Sequence, residues 1–245
     1  MRTYKADLHI HTLLSPCGDL RSTPRAIVDF SFHKGIDIIG ITDHNSTLHC
    51  ELVSFYAKEK GIFVLTGSEV TTKEESHCLC FFKDFYTLAL FQNYIDDHLQ
   101  NIPNNPDFFG DQVVIDKDEN IIFEEKRLLT SALDVDIKSV SKEVKRLEGI
   151  FIPSHIDKTR NSVISQLGYI PTDLEYDAVE ISEHGSKDKI ISLHPYLREK
   201  TFIRSSDAHF PDKIGSTFTC FEIEEMSFEE IRKALNKEEG RTTII

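Results

Sequence analysis

His9 and His11 stand two residues apart in Tyr4-Lys5-Ala6-Asp7-Leu8-His9-Ile10-His11, where apolar and polar residues alternate. Period two is the signature of a strand, so both imidazoles project from one face. Asp7 would lie about 6.6 Å further down that face. Imidazole is a metal ligand and a proton carrier, and paired histidines on the inner face of a barrel strand need partners. One HxH alone is as readily a polar strand with a solvated face. Further ligand-type residues, however, occur at the ends of other apolar runs. His44 follows residues 36–42, Glu69 follows 62–65 and His155 follows 149–153. Asp207 and His209 follow 202–205, and His77 opens 77–82.

Parallel βα units bring all carboxyl strand ends to one rim, where barrel enzymes build their active sites. Six histidines and three or four carboxylates meeting there would be a desolvation liability without cations. With cations they form a multinuclear metal site. Imidazole combined with carboxylate suits Zn, Mn or Fe better than Mg or Ca.

The elements that must position these groups read clearly. Thr23 caps a helix whose first position is Pro24; Ala26, Ile27, Phe30 and Ser31 share a face, and Gly35 ends it. Helices are predicted over 48–60, 87–99 and 227–236, the last with Ser227 and Glu230 as a capping box. Additional strands fall at 178–181 and 217–223. About seven strands alternating with helices define an α/β chain with a mainly parallel sheet or barrel. Within an insertion at about residues 101–130, Val113–Asp116 and Ile121–Glu124 read as a β-hairpin. No linker divides the chain, so one domain over 1–245 is expected.

The chain has 245 residues, a formal charge of −13 and 40% hydrophobic residues, which describes a globular chain with a sizeable core. The acidic balance argues against a duplex-DNA partner. No apolar run approaches the roughly 20 residues of a membrane span, and Met1–His11 lacks a signal-peptide core. Five sparse cysteines do not make a disulfide framework, so a reduced, cytoplasmic protein is expected. Nothing in the sequence sets an oligomeric state.

Asp7-Leu8-His9-Ile10-His11-Thr12, Thr42-Asp43-His44-Asn45, the isolated Glu69, Pro153-Ser154-His155 and Ser206-Asp207-Ala208-His209 occur in the order of known motifs. They are those of the polymerase and histidinol phosphatase (PHP) superfamily, and from Asp7 to His209 the chain resembles a stand-alone PHP metal-dependent phosphoesterase. The resemblance implies a distorted (β/α)7 TIM-like barrel with three divalent ions. Carried over by motif, His9, His11, Glu69 and Asp207 hold the first ion. Glu69 bridges to a second bound by His77 and His155, and His44, His209 and Asp19 hold the third. The implied reaction is hydrolysis of a phosphate ester by a hydroxide shared between two metals about 3.5–4 Å apart. Glu69, Asp207 and His209 would stand at its reacting centre.

The implied substrate is a nucleotide, a short single-stranded oligonucleotide end or a phosphorylated metabolite. Arg160, Arg204 and His184 are the candidate substrate contacts, Arg160 the best placed. Asp7 and Asp43 are read as groups orienting imidazoles. Cys17 reads as a free thiol, His33, His49, His98 and His194 as surface residues, and the Phe81-Phe82-Phe85-Tyr86 cluster as core. Two rivals are a barrel amidohydrolase and a catalytically silent metal-binding PHP module. Asp43-His44 and the closing Asp207-His209 favour the phosphoesterase over the first, and the completeness of the ligand set disfavours the second.

Overall fold

Strand β1 (Arg2–Ile10) is exposed at its first residues and buried from Ala6 onward, so its histidine-bearing end lies inside the protein. A computed structural model describes residues 1–245. The further strands are β2 (Ile38–Ile41), β3 (Phe63–Thr71), β4 (His77–Phe82), β5 (Val113–Ile115), β6 (Ile121–Glu124), β7 (Ile150–Pro153), β8 (Val179–Ile181), β9 (Phe202–Arg204), β10 (Thr219–Ile223) and β11 (Thr242–Ile244). A seven-stranded sheet runs β11-β10-β1-β2-β3-β4-β7, while β8 and β9 form a parallel pair. That pair completes a barrel. Asp177 donates to Phe151 and Ile156 to Glu180, joining β7 to β8, while Ala208 exchanges backbone bonds with His9 and His11, joining the end of β9 to β1. The seven staves are β1, β2, β3, β4, β7, β8 and β9, a distorted TIM-like barrel. The β5–β6 hairpin stands outside it as an antiparallel insertion.

The sheet is more mixed than alternation of strands and helices predicts. β4 runs antiparallel to both β3 and β7. Only residues 72–76 separate β3 from β4, too few for the crossover that parallel pairing needs. The reversal matters for the site, because it delivers the amino end of β4, with His77, to the rim formed by the carboxyl ends of its neighbours. β3 also extends to Thr71, so Glu69 lies within the strand rather than after it. Gly67 permits that close pairing, since a Cβ there would stand 2.1 Å from the Cys80 carbonyl oxygen.

A β-bulge sets the facing of the two strand histidines. The register of β1 against β2 shifts between Asp7 and Ile10, opposite Gly40, whose absent Cβ would lie 2.3 Å from the Leu8 oxygen. Upstream of the bulge Ala6 and Leu8 pack into the barrel interior with Leu65, Leu79 and Ile152. Beyond it Ile10 faces the outer core with Ile39 and Ile41, so His9 and His11 turn inward. The expectation that Asp7 shares their face is therefore corrected. Its carboxylate accepts instead from Ser206 N (2.9 Å), Ser206 Oγ (2.6 Å) and Gly215 N (2.8 Å). It orients the loop carrying Asp207, not an imidazole.

An inner cluster fed by six of the staves and by Ala178 just before β8 fills the barrel and is floored by Phe228, Ile231, Ala234 and Leu235 of the helix Phe228–Asn236. The outer cluster lies between the strands and the surrounding helices. Thr23 caps its helix as expected, accepting from Ala26 N. Ser227 accepts from Glu230 N, but the Glu230 carboxylate turns to Glu224 N and Arg241, leaving half a capping box. Phe81 and Phe82 are core, whereas Phe85 and Tyr86 are exposed on the helix Phe85–His98 that Asp84 caps. No helix is long and apolar enough to cross a membrane.

Candidate metal centre

Glu69 stands at the middle of a ring of imidazoles on the upper rim of the barrel. Its Oε1 lies 3.1 Å from His77 Nδ1, 3.2 Å from His9 Nε2 and 3.3 Å from His155 Nε2. Its Oε2 lies 3.3 Å from His44 Nδ1 and 3.5 Å from His11 Nε2. Asp207 Oδ1 is 3.4 Å from Nε2 of both His9 and His11, and the rings of His11 and His209 are 4.2 Å apart. Eight of the nine predicted ligands therefore converge.

The ninth does not. Asp19 comes to the rim through its amide, which donates to the His209 carbonyl, but Arg21 takes both its carboxylate oxygens at 2.9 and 3.0 Å. The two residues share one tight turn, so a local ion pair outcompetes the cluster.

The donor atoms fit cations. His9 Nε2, His11 Nε2, His44 Nδ1, His77 Nδ1 and Glu69 Oε1 are buried without a hydrogen-bond partner. Buried polar atoms are seldom left so, and here they cluster. Ligand atoms gather within 4.8 Å in three groups: His9-His11-Glu69, His44-Glu69-His77 and His11-His44-His209.

The electrostatics keep the His11 and His44 donor atoms available. Burial and the neighbouring His209 push the His11 imidazole down to about 3, and burial likewise holds His44 well below its ordinary value. Burial would raise Glu69, but His77 and His9 outweigh it and hold the carboxyl well below the usual range. His9 goes the other way: burial lowers it, yet the charges of Glu69, Glu180 and Asp207 raise it well above the ordinary value. A neutral imidazole presents a lone pair to a cation.

Groups behind the ligands fix their orientation. His9 Nδ1 meets the Glu180 carboxylate at 3.0 and 3.2 Å, and Glu180 Oε2 also accepts from His155 N. Asp43 reaches His11 through Ser15 Oγ, with separations of 2.7 and 3.1 Å. His155 and Asp207 occupy the left-handed region, with φ of 28° and 51°. Such backbone costs on the order of 1–3 kcal/mol per residue and persists where surrounding bonds over-determine it.

Arg160 and Cys17 line a cavity of about 390 Å³ that opens onto His44, His77 and Glu69. His184 lines a neighbouring cavity of about 430 Å³ with Lys213 and Ser216. Both cavities share His155, Lys158, Asp207 and His209. Arg204 lines neither, and its guanidinium donates to the Gly185 carbonyl at 2.6 Å.

Lys158, Glu180 and His49 escape sequence reasoning. Lys158 Nζ stands 2.5 Å from Asp207 Oδ2, and its position three residues after His155 is the available signal. His49, expected at the surface, is completely buried between Thr12 and the insertion. Burial lowers its imidazole from 6.5 to about 4. The unfolded chain therefore takes up a proton there before the folded chain does, and stability falls as pH drops below 6.5. Between pH 7 and pH 5 the wild type is expected to lose about 2 kcal/mol relative to His49→Gln in urea unfolding. Parallel losses in both proteins would contradict a buried, neutral His49.

The PHP domain family matches residues 7–159, and a PHP-associated family matches residues 197–239. The first match spans more than half of the sequence: the chain belongs to the PHP domain family. Among curated relatives, the uncharacterized protein YqxK of Bacillus subtilis is 26% identical over 278 residues, covering 100% of this chain and 65% of that protein. Among solved structures, the lesion-specific endonuclease Q of Pyrococcus furiosus superposes with a TM-score of 0.77 at 18% identity, covering 100% of this chain and 58% of that one. A two-domain protein of Bacteroides vulgatus containing a predicted PHP-like metal-dependent phosphoesterase gives 0.58 at 18% identity, covering 100% and 65%. At these identities the structures show the shared fold. The chain spans less than two thirds of the length of each of these three relatives.

Proposed function

We propose that this protein is a metal-dependent phosphoesterase hydrolysing a nucleotide, a short single-stranded oligonucleotide end or a phosphorylated metabolite. The observation that carries this reading is the set of buried, partnerless donor atoms around Glu69. His9, His11, Glu69 and Asp207 would hold one ion, Glu69, His77 and His155 a second, and His44 with His209 a third. Three ions drawn from Zn, Mn and Fe suit this donor set. Bound there, they would supply Lewis acidity toward the phosphoryl oxygens and a water acidic enough to be deprotonated near neutral pH.

The protein's own groups do the rest. Lys158 and Arg160, which line the cavity that opens onto the cluster, would receive phosphate oxygens and offset the repulsion of a chain with net charge −13. His184 lines the adjoining cavity, where a leaving group would sit. Glu69, Asp207 and His209 border the reacting atoms. Lys158 releases Asp207 when a phosphate competes for its ammonium, leaving the carboxylate to its imidazole neighbours. The chain acts as one domain over 1–245 carrying the insertion at about 101–130, in a reducing cytoplasmic setting that suits its five unpaired thiols.

Endonuclease Q has also been solved with a 27-mer duplex substrate carrying an abasic lesion at the active site, so the fold itself does not bar a duplex. That protein extends well beyond the length shared with this chain, and the acidic surface here favours small substrates. The test is phosphate release from an aryl phosphate with added Mn or Zn, run beside an amide substrate. Phosphate release alone supports the proposal, whereas amide cleavage alone, or metal binding without turnover, overturns it. In the same assay Lys158→Met is expected to lower kcat/KM about a hundredfold, the usual loss when one aimed donor is removed. An unchanged value would remove Lys158 from the site.

A further inference from the structure

His49 is a buried imidazole for which the proposed reaction has no use, and its contacts form a directed path. Its Nε2 lies 3.1 Å from the backbone N of Ile115 in β5. An amide can only donate, so Nε2 accepts and the proton of the neutral ring sits on Nδ1. Nδ1 then donates to Thr12 Oγ1 at 2.7 Å. The Thr12 hydroxyl donates in turn to Asp43 Oδ2 at 2.8 Å. The other carboxylate oxygen accepts from Ser15 Oγ at 2.7 Å. With that proton committed, Ser15 Oγ accepts from His11 Nδ1 at 3.1 Å. His11 is left with a free Nε2 lone pair, aimed at Glu69 and Asp207.

We infer that His49 is a positioning residue that couples the β5–β6 insertion to the metal ligand His11 through this chain of hydrogen bonds. This rests on the metal-centre reading above. The Ile115 amide fixes the His49 end of the path, and the Asp43 carboxylate, which can only accept, fixes Thr12 and Ser15 as donors. The chain therefore selects both the tautomer and the ring orientation that His11 needs to accept a cation. The insertion is also tied down nearby, where Asn45 Nδ2 donates to the carbonyls of Leu129 and Ser131. His49 is the point at which its strand meets the bonds leading to the site. If His49 served packing alone, an apolar ring of similar size would replace it without loss at the metal.

The experiment compares Mn(II) binding by titration calorimetry and amide exchange at Ile115 in the wild type, His49→Phe, His49→Gln and Ser15→Ala. His49→Phe is expected to weaken Mn(II) binding about tenfold, as removal of a group behind a metal ligand does, and to speed exchange at Ile115. His49→Gln can accept from Ile115 and donate to Thr12, so it should restore affinity to within about threefold of the wild type. Ser15→Ala interrupts the path beyond Asp43, and should weaken Mn(II) while leaving Ile115 protected. It also keeps the inference testable should His49→Phe fail to fold.

Wild-type Mn(II) affinity in His49→Phe, or equal weakness of the Phe and Gln variants, would overturn the coupling. So would a nitrogen NMR spectrum showing the His49 proton on Nε2. A wild type that binds no Mn(II) would sink the metal reading itself. The tautomer and exchange results would still report on the hydrogen-bond path.

Discussion

Glu69→Gln is expected to lower kcat/KM on the order of a thousandfold, about 4 kcal/mol of transition-state stabilisation, while leaving the fold intact. Five imidazoles lie within 3.5 Å of this one carboxylate, and no other residue faces all of them. The amide keeps the shape but loses the charge that would let two neighbouring cations share a ligand. The variant should also bind fewer equivalents of metal. Far-ultraviolet circular dichroism reports the fold, and turnover of an aryl phosphate reports the site. A variant with native turnover and native metal content would show that Glu69 bridges nothing.

Metal loading should raise thermal stability more than any single substitution does. Orphaned donor atoms and a buried carboxylate are costly without a partner, and a ligand that binds only the folded state stabilises it by mass action. An ion at a hundred times its dissociation constant contributes about 2.7 kcal/mol. For a chain of this size that is roughly 5–10 °C in Tm. Chelator-treated protein should therefore melt at least that far below Mn- or Zn-loaded protein, and the difference should shrink in Glu69→Gln. Coincident melting curves for loaded and chelator-treated wild type would mean that the cluster holds no ion.

How far the sequence alone reaches differs from element to element. β1, β4, the hairpin and the capped helix after Thr23 were legible because period two, a short apolar run, a polar turn and a Thr-Pro start are local signals. The orientation of β4 was not, since direction depends on a connection too short for a crossover rather than on the strand itself. The helix Ile137–Arg146 shows the limit of composition. Its residues are mostly Lys, Arg, Glu and Ser, yet Ile137, Val140, Ser141 and Val144 are buried at helical spacing behind an Asp136 cap, a period that is itself a local signal.

For the site, the eight converging side chains were readable as histidines and carboxylates at or near strand ends, although Glu69 lies inside β3 and His77 reaches the rim only because β4 is reversed. Asp19 was not excluded in advance, since the competing Arg21 acts only through turn geometry. Glu180 lies 171 residues from the His9 it orients, and His49 is covered by a strand 66 residues further on. Partnerships of that separation leave no local trace. The bulge opposite Gly40 is of the same kind. Strict alternation puts Asp7 beside His9, and one extra residue in the strand turns it to the loop of Ser206 instead.

The central claim is that the imidazoles around Glu69 hold divalent cations, and anomalous scattering from crystals of metal-supplemented protein tests it most directly. Data collected at the Mn, Fe and Zn absorption edges should place peaks between Glu69 and the side chains of His9, His11, His44, His77, His155 and Asp207. No peak in that ring, in protein shown by elemental analysis to have been offered all three metals, would contradict the account.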